Sequence, residues 1–206
     1  FANSIGFALV IGGAVRLRIY RGQGATPAQV AYLTAICGLT FALSGGLVIG
    51  TAMLLAPSVV ALALPLDPLV LQLFGAIGIG GVVVYLRWVG ERPRSLCLRG
   101  VKLALPGVAT TVGQLAVGAM DLVFAGTALY VLLPGDPAIG WAGFICLFSA
   151  AMTLGYLSHV PGGVGIFEAL IVIALPDIPA GALLGSLVVY RCLYYLLPLA
   201  VASLLL

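Results

Sequence analysis

Long apolar runs constrain the fold of this chain more than any other feature of its sequence. The run Val108–Leu133 holds a single charged residue, Asp121, and similar runs extend over Tyr32–Ala56 and Leu69–Val89. Each run is long enough to cross a bilayer as a helix, which requires about 20 residues. Because hydrocarbon offers the backbone no hydrogen-bond partners, segments of this kind fold as helices.

The composition agrees with this assignment. Charged residues make up 7% of the chain and hydrophobic residues 63%, whereas a soluble domain carries roughly 25% charged residues. We therefore predict an all-α polytopic integral membrane protein with about six to seven transmembrane segments. The four cysteines are scattered, so neither a disulfide framework nor a zinc site is predicted. Because the sequence begins without Met and stops inside an apolar run, we expect residues 1–206 to be one transmembrane domain of a longer protein.

One apolar stretch is interrupted by residues that break a helix. Pro161, Gly162 and Gly163 follow the single histidine of the chain, His159, and precede the acidic residue Glu168. A proline and two glycines free backbone groups, which a bilayer tolerates only where protein buries them or a wet cavity surrounds them. We predict a broken or re-entrant helix pair, with the second half-helix directing its N-terminus to a polar cavity. The alternative is a tight surface loop in which the histidine and the glutamate are solvated.

Basic residues cluster in two loops and predict an orientation in the membrane. Three arginines lie within residues 16–21 and five basic residues within residues 87–102. Such loops remain in the cytoplasm according to the positive-inside rule. The segments 57–68, 134–138 and 176–180 carry only aspartates as charged residues, and we predict them to be external turns.

Four ionisable side chains in or beside the apolar segments need an explanation: Asp121, His159, Glu168 and Arg191. An Asp or Arg at the centre of a membrane helix is unfavourable by roughly 2.5–3.5 kcal/mol. One interpretation is an ion pair of Arg191 with Asp121 or Glu168 that only joins helices. The other is a polar cavity for a charged or zwitterionic ligand. Arg191 and the amides of the glycine turn would then face an anion, and Asp121 or Glu168 a cation.

Two sequence blocks resemble a known family of membrane proteins. His159-Val-Pro-Gly-Gly-Val-Gly-Ile-Phe-Glu168 and Tyr190-Arg-Cys-Leu-Tyr-Tyr-Leu-Leu-Pro198 are similar to the membrane domain of bacterial lysyl- and alanyl-phosphatidylglycerol synthase/flippases, the multiple peptide resistance factors. The segments 3–7 and 16–22 resemble that family too, so the resemblance covers most of the chain.

This resemblance implies a flippase that moves aminoacylated phosphatidylglycerol from the inner to the outer leaflet of the bacterial cell membrane. Such transport lowers the negative surface charge and gives resistance to cationic antimicrobial peptides. Phospholipid and the membrane are the implied partners. The residues expected at the lipid head group are Arg191, Glu168, Asp121, His159, Gly162, Gly163 and Tyr190, with Arg16 and Arg18 at interfacial phosphates.

The resemblance also implies a soluble acyltransferase domain elsewhere in the parent protein, which makes the lipid from aminoacyl-tRNA. Within these 206 residues we predict no catalytic residue, no cofactor, no metal and no bound nucleic acid. Two alternatives to the flippase remain open. In the first, the chain is the membrane part of a phosphatidylglycerol lysyltransferase and presents lipid to its catalytic domain. In the second, it is a structural anchor that forms homo-oligomers.

The orientation is testable with an impermeant thiol reagent on intact cells. In a background that lacks the native cysteines, a cysteine at Asp136 should be labelled from outside. A cysteine at Arg94 should be labelled only after the membrane is permeabilised, because its loop carries the basic residues. Labelling of both positions from the same side would contradict the predicted topology.

Overall fold

The computed structural model describes residues 26–64, 66–91, 95–98, 101–158, 160 and 163–204, together with residues 17, 20, 22 and 24. The elements in chain order are α1 (Pro27–Leu55), α2 (Pro57–Ala63), α3 (Pro68–Gly90), β1 (Ser95–Leu98), β2 (Val101–Ala104), α4 (Val108–Leu132), α5 (Gly140–Leu157), α6 (Ile166–Ala174), α7 (Ala180–Arg191), a π-helix (Cys192–Leu196) and α8 (Leu197–Leu204).

Five helices are long and apolar enough to cross a membrane: α1, α3, α4, α5, and the run Ala180–Val201 that contains α7 and the π-helix. The chain is therefore a multi-pass membrane protein of the predicted all-α class. The shorter α6 adds the predicted half-helix. The predicted first span, with Arg16 and Arg18, lies outside the described residues.

Two local predictions from the sequence have different outcomes. Thr26-Pro27 predicts a helix start with Thr26 as the cap and Pro27 as the first residue, and the structure confirms it. The Thr26 hydroxyl accepts from the Gln29 amide, and the Gln29 side chain accepts from the Thr26 amide. The prediction that the segment 57–68 is a turn is wrong in part, because Pro57 begins the short helix α2. Proline suits a helix start, since its missing N–H would have no intrahelical partner there.

The basic loop between α3 and α4 contains a structure that the sequence did not predict. Strands β1 and β2 form an antiparallel hairpin, with Ser95 paired to Ala104 and Leu98 to Val101. This hairpin is the one departure from helix and turn among the described segments, and it lies between two membrane spans rather than within one.

Glycines bring α1 and α3 into close contact. Gly50 packs on Gly75, such that a Cβ added at Gly75 would lie 2.7 Å from the Gly50 carbonyl oxygen, and Gly78 faces Gly46 one turn away. Small residues allow membrane helices to approach closely, and van der Waals contact then holds them together where no hydrophobic effect operates. The sequence Gly46-Leu-Val-Ile-Gly50 has the small-xxx-small spacing that predicts a packing face, and the structure confirms it.

The core of the bundle is centred on α5. Half of its membrane window is buried, against 11–22% in the other spans. Phe144, Leu147 and Phe148 are fully enclosed, and they contact residues of α2, α4, α6 and α7 within one apolar cluster. The other long helices expose their apolar side chains outward, where lipid would cover them.

The glycine contact predicts a matched pair of variants in α3. Gly75→Ala should lower the free energy of unfolding in detergent by about 1–3 kcal/mol, the usual effect of overpacking, because its methyl group meets the Gly50 carbonyl. Gly80→Ala should leave stability equal or slightly higher, because no atom lies within 4 Å of its added Cβ. Equal stability losses in the two variants would contradict the proposed packing.

Candidate functional site

The predicted helix break is present between α5 and α6. Helix α5 ends at Leu157, and α6 begins at Ile166 and has 9 residues, too few to span a bilayer. Gly163 and Gly165 have positive φ angles of 61° and 88°, which favour glycine because it lacks a Cβ. His159, Pro161 and Gly162 lie outside the described residues.

Gly163 also needs its small size. A Cβ added there would lie 3.2 Å from the Cα of Gly155 in the last turns of α5. The turn therefore folds back directly onto the helix that precedes it. This close approach positions the start of α6 beside the core ring of Phe148, whose centroid lies 5.6 Å from that of Phe167.

Glu168 and Arg191 form an ion pair between α6 and α7. The Arg191 Nε donates to one carboxylate oxygen of Glu168, and the other accepts from the Gly165 amide at 2.7 Å. Glu168 thus caps the first turn of α6, where its negative charge also interacts favourably with the positive end of the helix dipole. The side chains retain only 21% (Arg191) and 17% (Glu168) of their accessible surface. Two predicted site residues therefore meet directly.

Three tyrosines form a cluster beside this ion pair, and Tyr195 is the one that contacts Arg191. Tyr190, 1% exposed, packs on Phe148 of α5 and stacks on Tyr194, with ring centroids 5.3 Å apart. Tyr195 lies edge-on to Tyr194, and the Arg191 guanidinium lies 5.5 Å from its ring centroid, a cation–π contact. The Tyr190 hydroxyl is buried and has no hydrogen-bond partner among the described residues.

A π-helix carries two of these tyrosines. At its end the Leu197 amide bonds to the Cys192 carbonyl, five residues back. Pro198 follows, and its ring nitrogen has no hydrogen to donate to a preceding carbonyl. A proline in an apolar span predicts a kink, and what the structure has there is a π-helical turn just before Pro198. Such turns occur frequently at functional sites.

A cavity of about 670 Å³ lies between α1, α4, α5 and the π-helix. Most of its wall is apolar, with small residues such as Gly45, Gly113 and Gly118 leaving room for a ligand. Its polar lining residues are Thr40, Ser44, Thr110, Gln114, Asp121, Tyr156 and Tyr194. A cavity of this size, mostly apolar with a few polar groups, is typical of a ligand site.

The polar groups of the cavity are unevenly satisfied. Thr40 Oγ1 donates to Gln114 Oε1 at 3.1 Å, which joins α1 to α4. Ser44 is 3% exposed, packs against Gly118, and has a hydroxyl without a hydrogen-bond partner among the described residues. Asp121 is exposed and forms no hydrogen bond or ion pair within the part of the chain that the structure describes. A buried hydroxyl without a partner, such as that of Ser44, is uncommon, which indicates that this cavity holds water or a ligand.

The structure separates the predicted site residues into two groups. Arg191, Glu168 and Tyr190 lie at the ion pair, and Gly163 forms the turn beside it. Asp121 lies in the cavity, and Tyr194 connects the two groups because it both lines the cavity and stacks on Tyr190.

Sequence reasoning missed the neutral part of the cavity, formed by Thr40, Ser44, Gln114 and Tyr156. A signal was present in α4, where Thr110, Gln114 and Asp121 recur at helical spacing on one face of an apolar helix. That face predicts a polar stripe, but its partners on α1 and α5 depend on tertiary packing.

The chain is similar to several known proteins, one of which is named an inner membrane protein. No family model matches the chain. It is 31% identical over 204 residues to the uncharacterized protein slr0712 of Synechocystis sp., which covers 98% of this chain and 63% of that protein. It is 24% identical over 140 residues to the inner membrane protein YbhN of Escherichia coli, covering 66% of this chain and 43% of that protein.

A third relative carries an enzyme name. The chain is 33% identical over 92 residues to phosphatidylglycerol lysyltransferase of Staphylococcus epidermidis, covering 43% of this chain and 11% of that protein. The chain thus spans less than two thirds of the length of each of these relatives.

The ion pair predicts strong coupling between its two residues. Glu168→Gln or Arg191→Met alone should lower the free energy of unfolding by roughly 3–5 kcal/mol, because each leaves a charge in the bundle without its partner. The double variant should lose much less than the sum of the two. The measurement is thermal unfolding of the purified protein in detergent for all four forms. Additive losses would contradict a coupled pair.

Proposed function

We propose that this chain is a lipid flippase that moves aminoacylated phosphatidylglycerol, carrying lysine or alanine, from the inner to the outer leaflet of a bacterial cell membrane. The observation that carries this proposal is the cavity among the membrane-spanning helices, which has an acidic side chain, Asp121, without a partner among the described residues. Intramembrane ionisable residues mark substrate or ion pathways.

The chemistry of the cargo supports the proposal. An aminoacylated phosphatidylglycerol carries an anionic phosphate and a cationic ammonium, so its head group needs partners of both signs while it crosses. The chain offers Asp121 in the cavity. It also offers the ion pair of Arg191 and Glu168, in which Arg191 contacts Tyr195, the ring that packs against the cavity residue Tyr194. In this proposal Arg191 binds the phosphate when its ion pair opens, and the ammonium binds a carboxylate.

The remaining predicted site residues take supporting roles in the same proposal. His159, Gly162 and Gly163 lie between α5 and α6 in the sequence, and in this proposal the head group approaches that part of the chain. The Gly163 and Gly165 amides already donate to the Val160 carbonyl and the Glu168 carboxylate, so the head group would have to replace these bonds to reach them. Arg16 and Arg18 would bind phosphates at the cytoplasmic surface, where anionic lipids attract basic residues.

Similarity to a phosphatidylglycerol lysyltransferase supports a role with this class of lipid, and it also favours one alternative. In that alternative the chain is the membrane part of such an enzyme and presents phosphatidylglycerol to a catalytic domain. A purely structural anchor is less favoured, because an anchor has no use for a cavity with unsatisfied polar groups. By lowering the negative charge of the outer surface, the proposed transport would give resistance to cationic antimicrobial peptides.

The test is a leaflet-resolved assay in reconstituted vesicles. Fluorescent lysyl-phosphatidylglycerol is placed in one leaflet, and its arrival in the other is followed by dithionite quenching. Gly113→Leu should abolish transport because its side chain fills the cavity, whereas Gly80→Leu should not, since both positions have open space but only Gly113 lines the cavity. The double variant Glu168→Gln/Arg191→Met should fold and not transport.

Three outcomes would contradict parts of the proposal. Equal transport by protein-free and protein-containing vesicles would contradict the flippase function. Normal transport by Gly113→Leu would exclude the cavity as the path. Normal transport by the double variant would leave Glu168 and Arg191 as a purely structural ion pair.

A further inference from the structure

Asp121 is the one acidic side chain that lines the described cavity, and no basic side chain lines it. A carboxylate in the middle of a membrane helix is unfavourable by about 2.5–3.5 kcal/mol unless something neutralises it. Glu168 is neutralised by Arg191, but within the described part of the chain Asp121 has no such partner. Because Asp121 is exposed and lines the cavity, a neutralising group from outside these residues can reach it.

The groups that face Asp121 are neutral. The cavity wall contributes Cys37 of α1, Tyr156 of α5 and Tyr194 of the π-helix as titratable neighbours. Tyr190 and Tyr195 pack against the Tyr194 ring. Arg191 contacts Tyr195, and its positive charge is balanced by the negative charge of Glu168 in the ion pair. Phenol and thiol groups are ordinarily neutral at pH 7, and Asp121 is the one Asp, Glu, Lys or Arg in the cavity lining.

A bound metal ion fits this lining poorly. The described residues contain no group of three or more His, Cys, Asp or Glu side chains that could hold one. The neutral oxygens are spread along α4 from Thr110 to Asp121, a helical rise of about 16 Å, rather than gathered around one point. Ca²⁺ and Mg²⁺ need six or more oxygens at a single centre. A proton needs only the carboxylate.

We propose that Asp121 is an exchange site at which a proton and the ammonium group of the lipid cargo compete, so that this chain exchanges protons for cationic lipid. This inference rests on the proposed flippase function and adds the coupling ion to it. The proton binds the carboxylate and makes it neutral. The ammonium group binds only the ionised form, because it needs the negative charge. Occupancy by one excludes the other.

Mutual exclusion at one carboxylate has a thermodynamic consequence. Because linkage is reciprocal, cargo binding must release a proton and proton binding must release cargo. Aromatic walls serve both states, since Phe41, Tyr156 and Tyr194 line the cavity and can face an ammonium group through their rings. A proton entering from an acidic exterior would then drive the cationic lipid outward, the direction proposed above.

The first experiment measures proton release on binding. Lysyl-phosphatidylglycerol in mixed micelles is titrated into purified protein by calorimetry, in two buffers with different ionisation enthalpies. Binding should release a substantial fraction of a proton per lipid in the pH range where the affinity depends on pH, and in that range the affinity should fall as the pH is lowered. Asp121→Asn should bind more weakly and with no pH dependence. The matched control is Asp177→Asn, an exposed aspartate in the turn after α6, which should behave as wild type.

The second experiment applies a pH gradient to vesicles that contain the protein. Lipid should move several-fold faster toward the acidic side than without a gradient, and Asp121→Asn should lose that acceleration. Lipid movement that ignores the gradient, or binding without proton release, would overturn the exchange site while leaving the flippase function intact. Proton-linked binding in a protein that moves no lipid would uphold the exchange site and contradict the flippase function.

Discussion

Inside a bilayer, every backbone amide must find its hydrogen-bond partner within the protein, and the interruption between α5 and α6 is where this requirement is hardest to meet. Local bonds meet much of it. The Val160 amide donates to the Ser158 hydroxyl, the Gly163 amide to the Val160 carbonyl, and the Gly165 amide to the Glu168 carboxylate. Because Glu168 is also held by Arg191, one carboxylate completes the backbone of the break and fastens it to the last span.

This dual role explains why a charged pair persists in a chain that is otherwise so apolar. An ion pair alone adds little net stability, since apolar residues of similar volume often replace one without loss. A carboxylate that also accepts from a backbone amide cannot be replaced so simply, because the amide would then lack its acceptor. The pair therefore has a structural use whether or not it contacts lipid, and stability and transport have to be measured separately.

Features determined by neighbouring residues were predictable from the sequence. The long apolar helices, the Thr26 cap, the close glycine face Gly46–Gly50 and the break near Gly163 each follow from a short stretch of chain. The partner of Arg191 stayed open between Asp121 and Glu168, because that choice depends on how distant helices pack. The neutral part of the cavity was missed for the same reason, since Ser44 and Gln114 carry no charge that marks them within their own helices. Helix α2 was missed because the whole segment 57–68 was predicted to be a turn, although a proline at position 57 also suits a helix start.

The π-helix has a consequence for how the last span tolerates insertion and deletion. A π-turn accommodates one more residue than an α-turn, so the residues beyond it are rotated by about 100° from where a continuous α-helix would carry them. The half before it, which ends at Arg191, contributes Leu183, Leu187 and Tyr190 to the core, whereas the described residues of Leu197–Leu204 include no buried one. A relative that lacks one residue between 192 and 196 would keep the core half in place and turn a different side of its final two turns toward the lipid. Insertion or deletion of one residue in this short segment therefore changes which side chains face the lipid and leaves the fold of the core unchanged.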